Sequence, residues 1–171
     1  SSLLPSLVSF REDARRGPNA LACIIAIRNF SELSSLFGYA LAEDILKLTA
    51  DRLERAARAL GGKAYRLHGR DFGFLAPCPR AKPDAKARQA LCDDLLARLG
   101  GPMSWQGKDI ELTYAIGYTE LSGGDAEKAL SEADSALKRL LPGSAGTSGF
   151  EPDDQARSVA EAAIASLITL S

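Results

Sequence analysis

The chain is poor in the residues that build most metal and redox sites. Its 171 residues include one histidine, one tryptophan, one methionine and three cysteines. His68 has no Cys or His neighbour at ligand spacing, which argues against a histidine-based metal site. Cys23, Cys78 and Cys92 form no Cys-x-x-Cys pair and leave an odd number, as expected of reduced thiols in a cytoplasmic protein. A net charge of -1 supplies neither a basic field for nucleic acid nor an acidic tail. The apolar run Leu21 to Ile27 is too short for a membrane span, and no signal peptide is visible. The chain opens on "SSLLPSL" without a methionine, which reads as a piece cut from a longer protein.

What is present suits one globular domain with a proper core: 46% apolar and 25% charged residues. "LACIIAI" (Leu21–Ile27) reads as a central strand buried on both faces. In "LAEDILKLTADRLERAARAL", residues Ala42, Ile45, Leu46, Thr49, Leu53, Ala56, Ala57 and Leu60 share one helical face, and Gly61-Gly62 stops that helix. "RLHGRDFGFLAP" (Arg66–Pro77) reads as a β-hairpin turning at His68-Gly69. "PRAKPDA" is a loop. Asp84 to Leu99 is a second long helix, with Ala87, Leu91, Leu95 and Leu99 inward. "WQGKDIELTYAIGYTEL" reads as a further hairpin turning at Gln106-Gly107, with Ile110, Leu112, Tyr114, Ile116 and Tyr118 alternating. Asp125 caps a third helix running to Leu141. By composition Leu141 to Asp154 is a linker, and Ala156 to Leu170 is a small amphipathic helix. The order implies an α/β sandwich with a mixed sheet covered by helices. The domain is expected over 1–143, with linker and C-terminal helix over 144–171.

Several stretches resemble the GGDEF family of bacterial diguanylate cyclases. "LACIIAIRNFSELSSLFGYALAEDIL" is similar to the family's strand ending in Asp-x-Asp-x-Phe, followed by Asn-Asp-x-x-Gly-His-x-x-Gly-Asp. "RLHGRDF" lines up with Arg-hydrophobic-Gly-Gly-Asp/Glu-Glu-Phe, "LTYAIGYTE" with Thr-x-Ser-Ile-Gly, and "SEADSALKRL" with the closing Ala-Asp-x-Ala-Leu-Tyr helix. Leu4-Pro5 echoes the opening Leu-Pro-Asn-Arg. The resemblance covers Leu3 to Pro142. It implies a nucleotide-cyclase-like fold with a central mixed, mainly antiparallel β-sheet surrounded by helices. It also implies the family's reaction, in which two GTP molecules held with Mg²⁺ on facing domains condense to cyclic di-GMP.

The chain departs from that pattern where the chemistry sits. The family's first metal-binding Asp falls at Ala26, its next Asp at Arg28, and the metal-binding acid of the signature at Arg70. An attraction between unit charges near 4 Å is worth roughly 4 kcal/mol at an effective dielectric of about 20. Replacing carboxylates by a methyl group and guanidinium groups loses such terms and adds repulsion. The guanine-contacting Asn falls at Ser34, too short for a paired donor and acceptor, and the guanine-contacting Asp at Glu43. The phosphate-contacting Lys falls at Leu141. In the signature, His68 stands for a glycine, while Gly69, Asp71 and Phe72 match. The inhibitory Arg-x-x-Asp motif falls at Ala59 and Gly62, with Arg58 one residue out of register.

The resemblance therefore implies a degenerate, catalytically inactive regulatory or interaction module, without Mg²⁺, in tandem with an EAL-type domain. A second expectation is a metal-independent GTP sensor. Its candidate contacts are Arg28, Asn29, Phe30, Ser34, Glu43 and Arg70, with the arginines holding phosphate directly. A third is a homodimerisation element, with Val159, Ala163, Leu167 and Leu170 as its seam. Each residue also has a plainer reading. Asp71 suits a turn-capping acid, Arg70 a surface arginine, His68 an exposed turn residue, and Glu43 a favourable charge near a helix start.

Overall fold

Ala20–Ile27 forms the central strand, β1, of a five-stranded sheet. The computed structural model describes residues 3–17, 20–77, 84–152 and 163–168. Cys78, the loop at 79–83 and most of the expected C-terminal helix, with Val159 and Leu170, lie outside the described residues. Around β1 come α1 (Leu7–Arg16), α2 (Phe30–Phe37), α3 (Tyr39–Leu60), β2 (Lys63–Arg66), β3 (Phe72–Pro77) and α4 (Ala85–Leu99). The chain continues with β4 (Met103–Trp105), β5 (Lys108–Ile110), β6 (Tyr114–Leu121), α5 (Ala126–Leu137) and β7 (Gly146–Gly149). The strand order is β2-β3-β1-β6-β7, antiparallel except for the parallel β6–β7 pair. This is the mixed, mainly antiparallel sheet expected. Among the described residues no helix is long and apolar enough to cross a membrane.

Side chains alternate across a strand, so β1 feeds two cores. Leu21, Cys23, Ile25 and Ile27 pack with Leu41, Ile45 and Leu53 of α3 and Cys92, Leu95 and Leu99 of α4. Ala20 and Ala22 meet Phe10 and Ala14 of α1, while Ile24 meets Ala133 and Leu137 of α5. Burying each such leucine, isoleucine or phenylalanine contributes about 1.5–3 kcal/mol. On α4, Cys92 rather than Ala87 completes the buried stripe. Gly61, at φ +70°, ends α3 in the left-handed conformation.

Three segments differ from the sequence reading. The second hairpin is cut in two: β4 and β5 pair around Gln106 and Gly107 as a separate ribbon, and only Tyr114 onward joins the main sheet. The side chain of Asn29 causes the step, donating to Glu111 O at 2.8 Å and accepting from Thr113 N at 3.0 Å. Helix α5 ends at Leu137 instead of Leu141. The stretch read as linker supplies a strand, β7, which pairs with Ala115–Tyr118 of β6, so the sheet extends past residue 143. Its glycines, threonine and serine carry no apolar signal, and the ladder alone makes it a strand.

Candidate functional site

The His68–Asp71 turn lies at the end of the sheet where β1 finishes. The last β1–β3 pair is Ile25 with Phe72, so the turn sits just beyond it. Leu67 N donates to Asp71 O at 3.0 Å and Asp71 N to His68 O at 3.2 Å. Gly69 takes φ +61°, which glycine adopts without strain. His68, Gly69 and Arg70 are exposed, Asp71 is half-buried and Phe72 is buried.

Ala26 and Arg28 fall on the α5 side of β1 by alternation. Ala26 pairs with Ala115 and packs with Ile24, Ala115, Ala133 and Leu137, alongside Leu67, Leu130 and Leu140. Ala26 is half-buried, so the position of the expected metal-binding carboxylate borders an apolar cluster that offers it no polar neighbour. Two residues on, Arg28 donates from Nη2 to Leu137 O at 3.3 Å and from Nε to Ser144 O at 3.2 Å. It places a cation at the carbonyl end of α5, where the helix dipole is negative.

Arg70 donates to Ser31 Oγ and lies over the Phe30 ring, 5.3 Å from its centre. It bridges the hairpin to the first turn of α2. Ser34 Oγ donates back to Phe30 O at 2.8 Å, within its own helix. Asn29 holds the 111–113 connection, as above. Asp71 is pushed up from the usual carboxyl value, chiefly by burial and then by Asp134, with Arg70 and Arg66 opposing. Leu141, at the phosphate-contacting position, is 77% exposed.

Glu43 is separate from that group. It lines a cleft of about 260 Å³ with Leu3, Leu4, Leu46, Lys47, Ala50, Arg66 and Phe72. Hydrogen bonding to Glu43 raises the Tyr39 phenol. Arg66 donates to Gly69 O and sits over the Phe72 ring at 4.8 Å. The sequence reading missed Lys47 and Arg66 as cleft cations. Lys47 stands four residues after Glu43 on α3, and Arg66 opens the hairpin stretch, so the spacing held a signal for both.

At the expected inhibitory position, a side chain on Gly62 would meet Phe74 Cε1 at 2.6 Å and Leu75 O at 2.8 Å. Packing against β3 therefore holds this position to glycine. Arg58 donates to Glu54 on its own helix. Among the described residues no group of three or more His, Cys, Asp or Glu side chains could hold a metal ion.

The family model for the diguanylate cyclase GGDEF domain matches residues 5–144. The chain belongs to the GGDEF family, the domain class of cyclic di-GMP signalling. Among solved structures, the GGDEF domain of YfiN (TpbB) from Pseudomonas aeruginosa shares 20% identity over 89% of this chain and 93% of its own, with a TM-score of 0.76. An EAL/GGDEF domain protein from M. capsulatus shares 22% identity over 81% of this chain and 88% of its own, at 0.67. The GGDEF domain of DgcB from Caulobacter crescentus, in complex with c-di-GMP, shares 17% over 85% and 88%, at 0.70. No curated protein matches the chain.

Proposed function

We propose that this GGDEF domain makes no cyclic di-GMP and acts as a regulatory module in cyclic di-GMP signalling, joined to an EAL-type domain. The observation that carries this reading is Ala26, packed among Ala115, Ala133 and Leu137. Mg²⁺ takes hard oxygen ligands in a near-octahedral shell. Ala26 offers none, Arg70 brings a positive charge to the signature position, and Arg28 turns its cation to the same end of β1. These residues do not fit the ion. The EAL/GGDEF relative supports the tandem arrangement. The test is an assay of the purified domain with GTP and Mg²⁺ or Mn²⁺. No cyclic di-GMP is expected, and clear production refutes the reading.

A second reading, metal-independent GTP binding, is favoured by the cleft at Glu43. Leu4, Leu46 and Phe72 offer it apolar walls, and Lys47 and Arg66 offer cations. Charge-assisted hydrogen bonds from such groups hold phosphate without a metal. Calorimetry with GTP in EDTA tests this: heat that disappears in Arg66→Ala supports it, and no heat at near-millimolar GTP rejects it.

A further inference from the structure

Cys23 of β1 and Cys92 of α4 face each other across the main core. Their sulfurs lie 3.9 Å apart, one thiol donating to the other, and both side chains are buried. The two are held with different firmness. Cys23 sits in mid-sheet, paired with Phe74 of β3 and Tyr118 of β6. Cys92 is the first buried residue of α4, and none of Ala85–Leu91 before it is buried. Polar bonds hold that half of the helix: Arg88 donates to Glu120 at 2.9 Å, and Gln89 accepts from Tyr118 OH at 2.6 Å. A segment held this way opens more readily than the core beneath it. Sulfurs in a disulfide lie about 2.05 Å apart. The pair must therefore close by about 2 Å, which rotation of two short side chains and a small settling of α4 supply.

We propose that Cys23 and Cys92 form an oxidation lock: hydrogen peroxide cross-links them when α4 lifts, and the disulfide then fixes α4 on β1. In the closed fold, the bond with Cys23 and burial push the Cys92 thiol up, and it is the thiolate, not the thiol, that attacks. Lifting α4 uncovers both sulfurs. One thiolate attacks the peroxide: an S–O bond forms, the O–O bond breaks, and the hydroxide released takes up the thiol's proton. The second thiolate attacks the sulfenic sulfur: the S–S bond forms, the S–O bond breaks, and the departing hydroxide again leaves as water. The two sulfurs give up two electrons, and the peroxide becomes two waters. Once α4 has closed again, the disulfide is buried and shielded from external thiols.

The experiment treats the whole chain with hydrogen peroxide, free of reductant, and maps its peptides by mass spectrometry. A Cys23–Cys92 cross-link is expected in the wild type and in Cys78→Ser, which removes the third thiol. The cross-link closes a stretch of 69 residues. It is expected to raise the melting temperature by roughly 10 °C, the scale for so long a loop in a domain of this size. Reduction with dithiothreitol in mild urea returns it to the starting value. The rate of cross-linking is expected to level off as peroxide rises, because the lifting of α4 limits it. Cys92→Ala is expected to show neither cross-link nor shift. The wild-type arm needs no variant, so a variant that fails to fold leaves the test intact. Cross-links only through Cys78, or sulfinic acid on unlinked Cys23 and Cys92, overturn the lock. A mapped Cys23–Cys92 cross-link that leaves the melting temperature unchanged does the same. A rate that stays proportional to peroxide overturns the gating by α4.

Discussion

Ala26 pairs across the sheet with Ala115, which lies in the apolar cluster capped by Ala133 and Leu137 of α5, and the half-buried Ala26 methyl packs against that cluster. Ala26→Asp restores a carboxylate at the family's first metal position, but it does so at the half-buried edge of that cluster. A polar group buried without a partner costs roughly 1–3 kcal/mol by protein mutational measures, and a half-buried position on the same face as Arg28 falls at the low end, about 1 kcal/mol. The variant is expected to lose stability of that order in urea unfolding and to stay inactive with GTP and Mg²⁺, because Arg28 and Arg70 remain. Activity in this single variant would refute the account of why the site is silent.

Gly117 of β6 lies directly under α5. A methyl group there would run into the carbonyl oxygen of Ala133 and meet Leu137 Cγ at 2.7 Å and Leu137 N at 3.0 Å. Backbone cannot yield as a flexible side chain can. Gly117→Ala is therefore expected to destabilise the domain by about 3 kcal/mol, at the upper end of overpacking costs. Chemical denaturation measures it, and a change below about 0.5 kcal/mol would show that α5 shifts freely on the sheet.

These close approaches separate what the sequence discloses from what it conceals. The strand at Leu21–Ile27 is legible because a continuous apolar run has no other good solution than burial on both faces. The long helix α3 is legible from its stripe and its terminal glycines. The split of β5 from β6 is not, because Ile110, Leu112 and Tyr114 continue the alternation without a break. What interrupts the strand is the side chain of Asn29, far away in sequence, bonded to Glu111 and Thr113. β7 hides for a related reason: its residues have the composition of a linker, and what holds it is the ladder with β6 together with the Thr147–Asp93 and Arg139–Gly149 bonds. At the site, the substitutions at Ala26, Arg28 and Arg70 can be read from register. That Arg28 bonds the end of α5 and Arg70 bonds Ser31 depends on tertiary geometry.

Thr49 Oγ1 and Tyr114 OH lie 2.8 Å apart, both buried, and join α3 to β6. Tyr114→Phe removes one hydroxyl and leaves Thr49 Oγ1 buried without that partner, and it also takes the phenol away from the Arg52 guanidinium that faces it. The expected cost is about 1–3 kcal/mol, the penalty for an unsatisfied buried polar group. Adding Thr49→Val should recover part of it, because the orphaned hydroxyl then also leaves. A double-mutant cycle in urea measures the coupling. A double variant as unstable as the sum of the two single variants would show that the pair contributes nothing as a pair.

Asp71 gives the hairpin a pH dependence whose sign follows from its raised pKa. Burial is the largest cause, and Asp134 adds repulsion. In the folded chain the carboxyl holds its proton to higher pH than in the unfolded chain, where its value is near 3.8. Its contribution to stability is fully present below that unfolded value. It is lost as pH rises through the higher folded value, because ionising the half-buried group costs more in the folded state. Asp71→Asn removes the cost and keeps the shape. The variant is expected to match the wild type near pH 3.5 and to be the more stable of the two at pH 7, by thermal or urea unfolding. Asp134→Asn should give a smaller shift in the same direction, since it removes only the repulsive part. A gap between wild type and Asp71→Asn that narrows as pH rises would mean that Arg66 and Arg70 outweigh burial, and that the hairpin holds Asp71 as a paired ion.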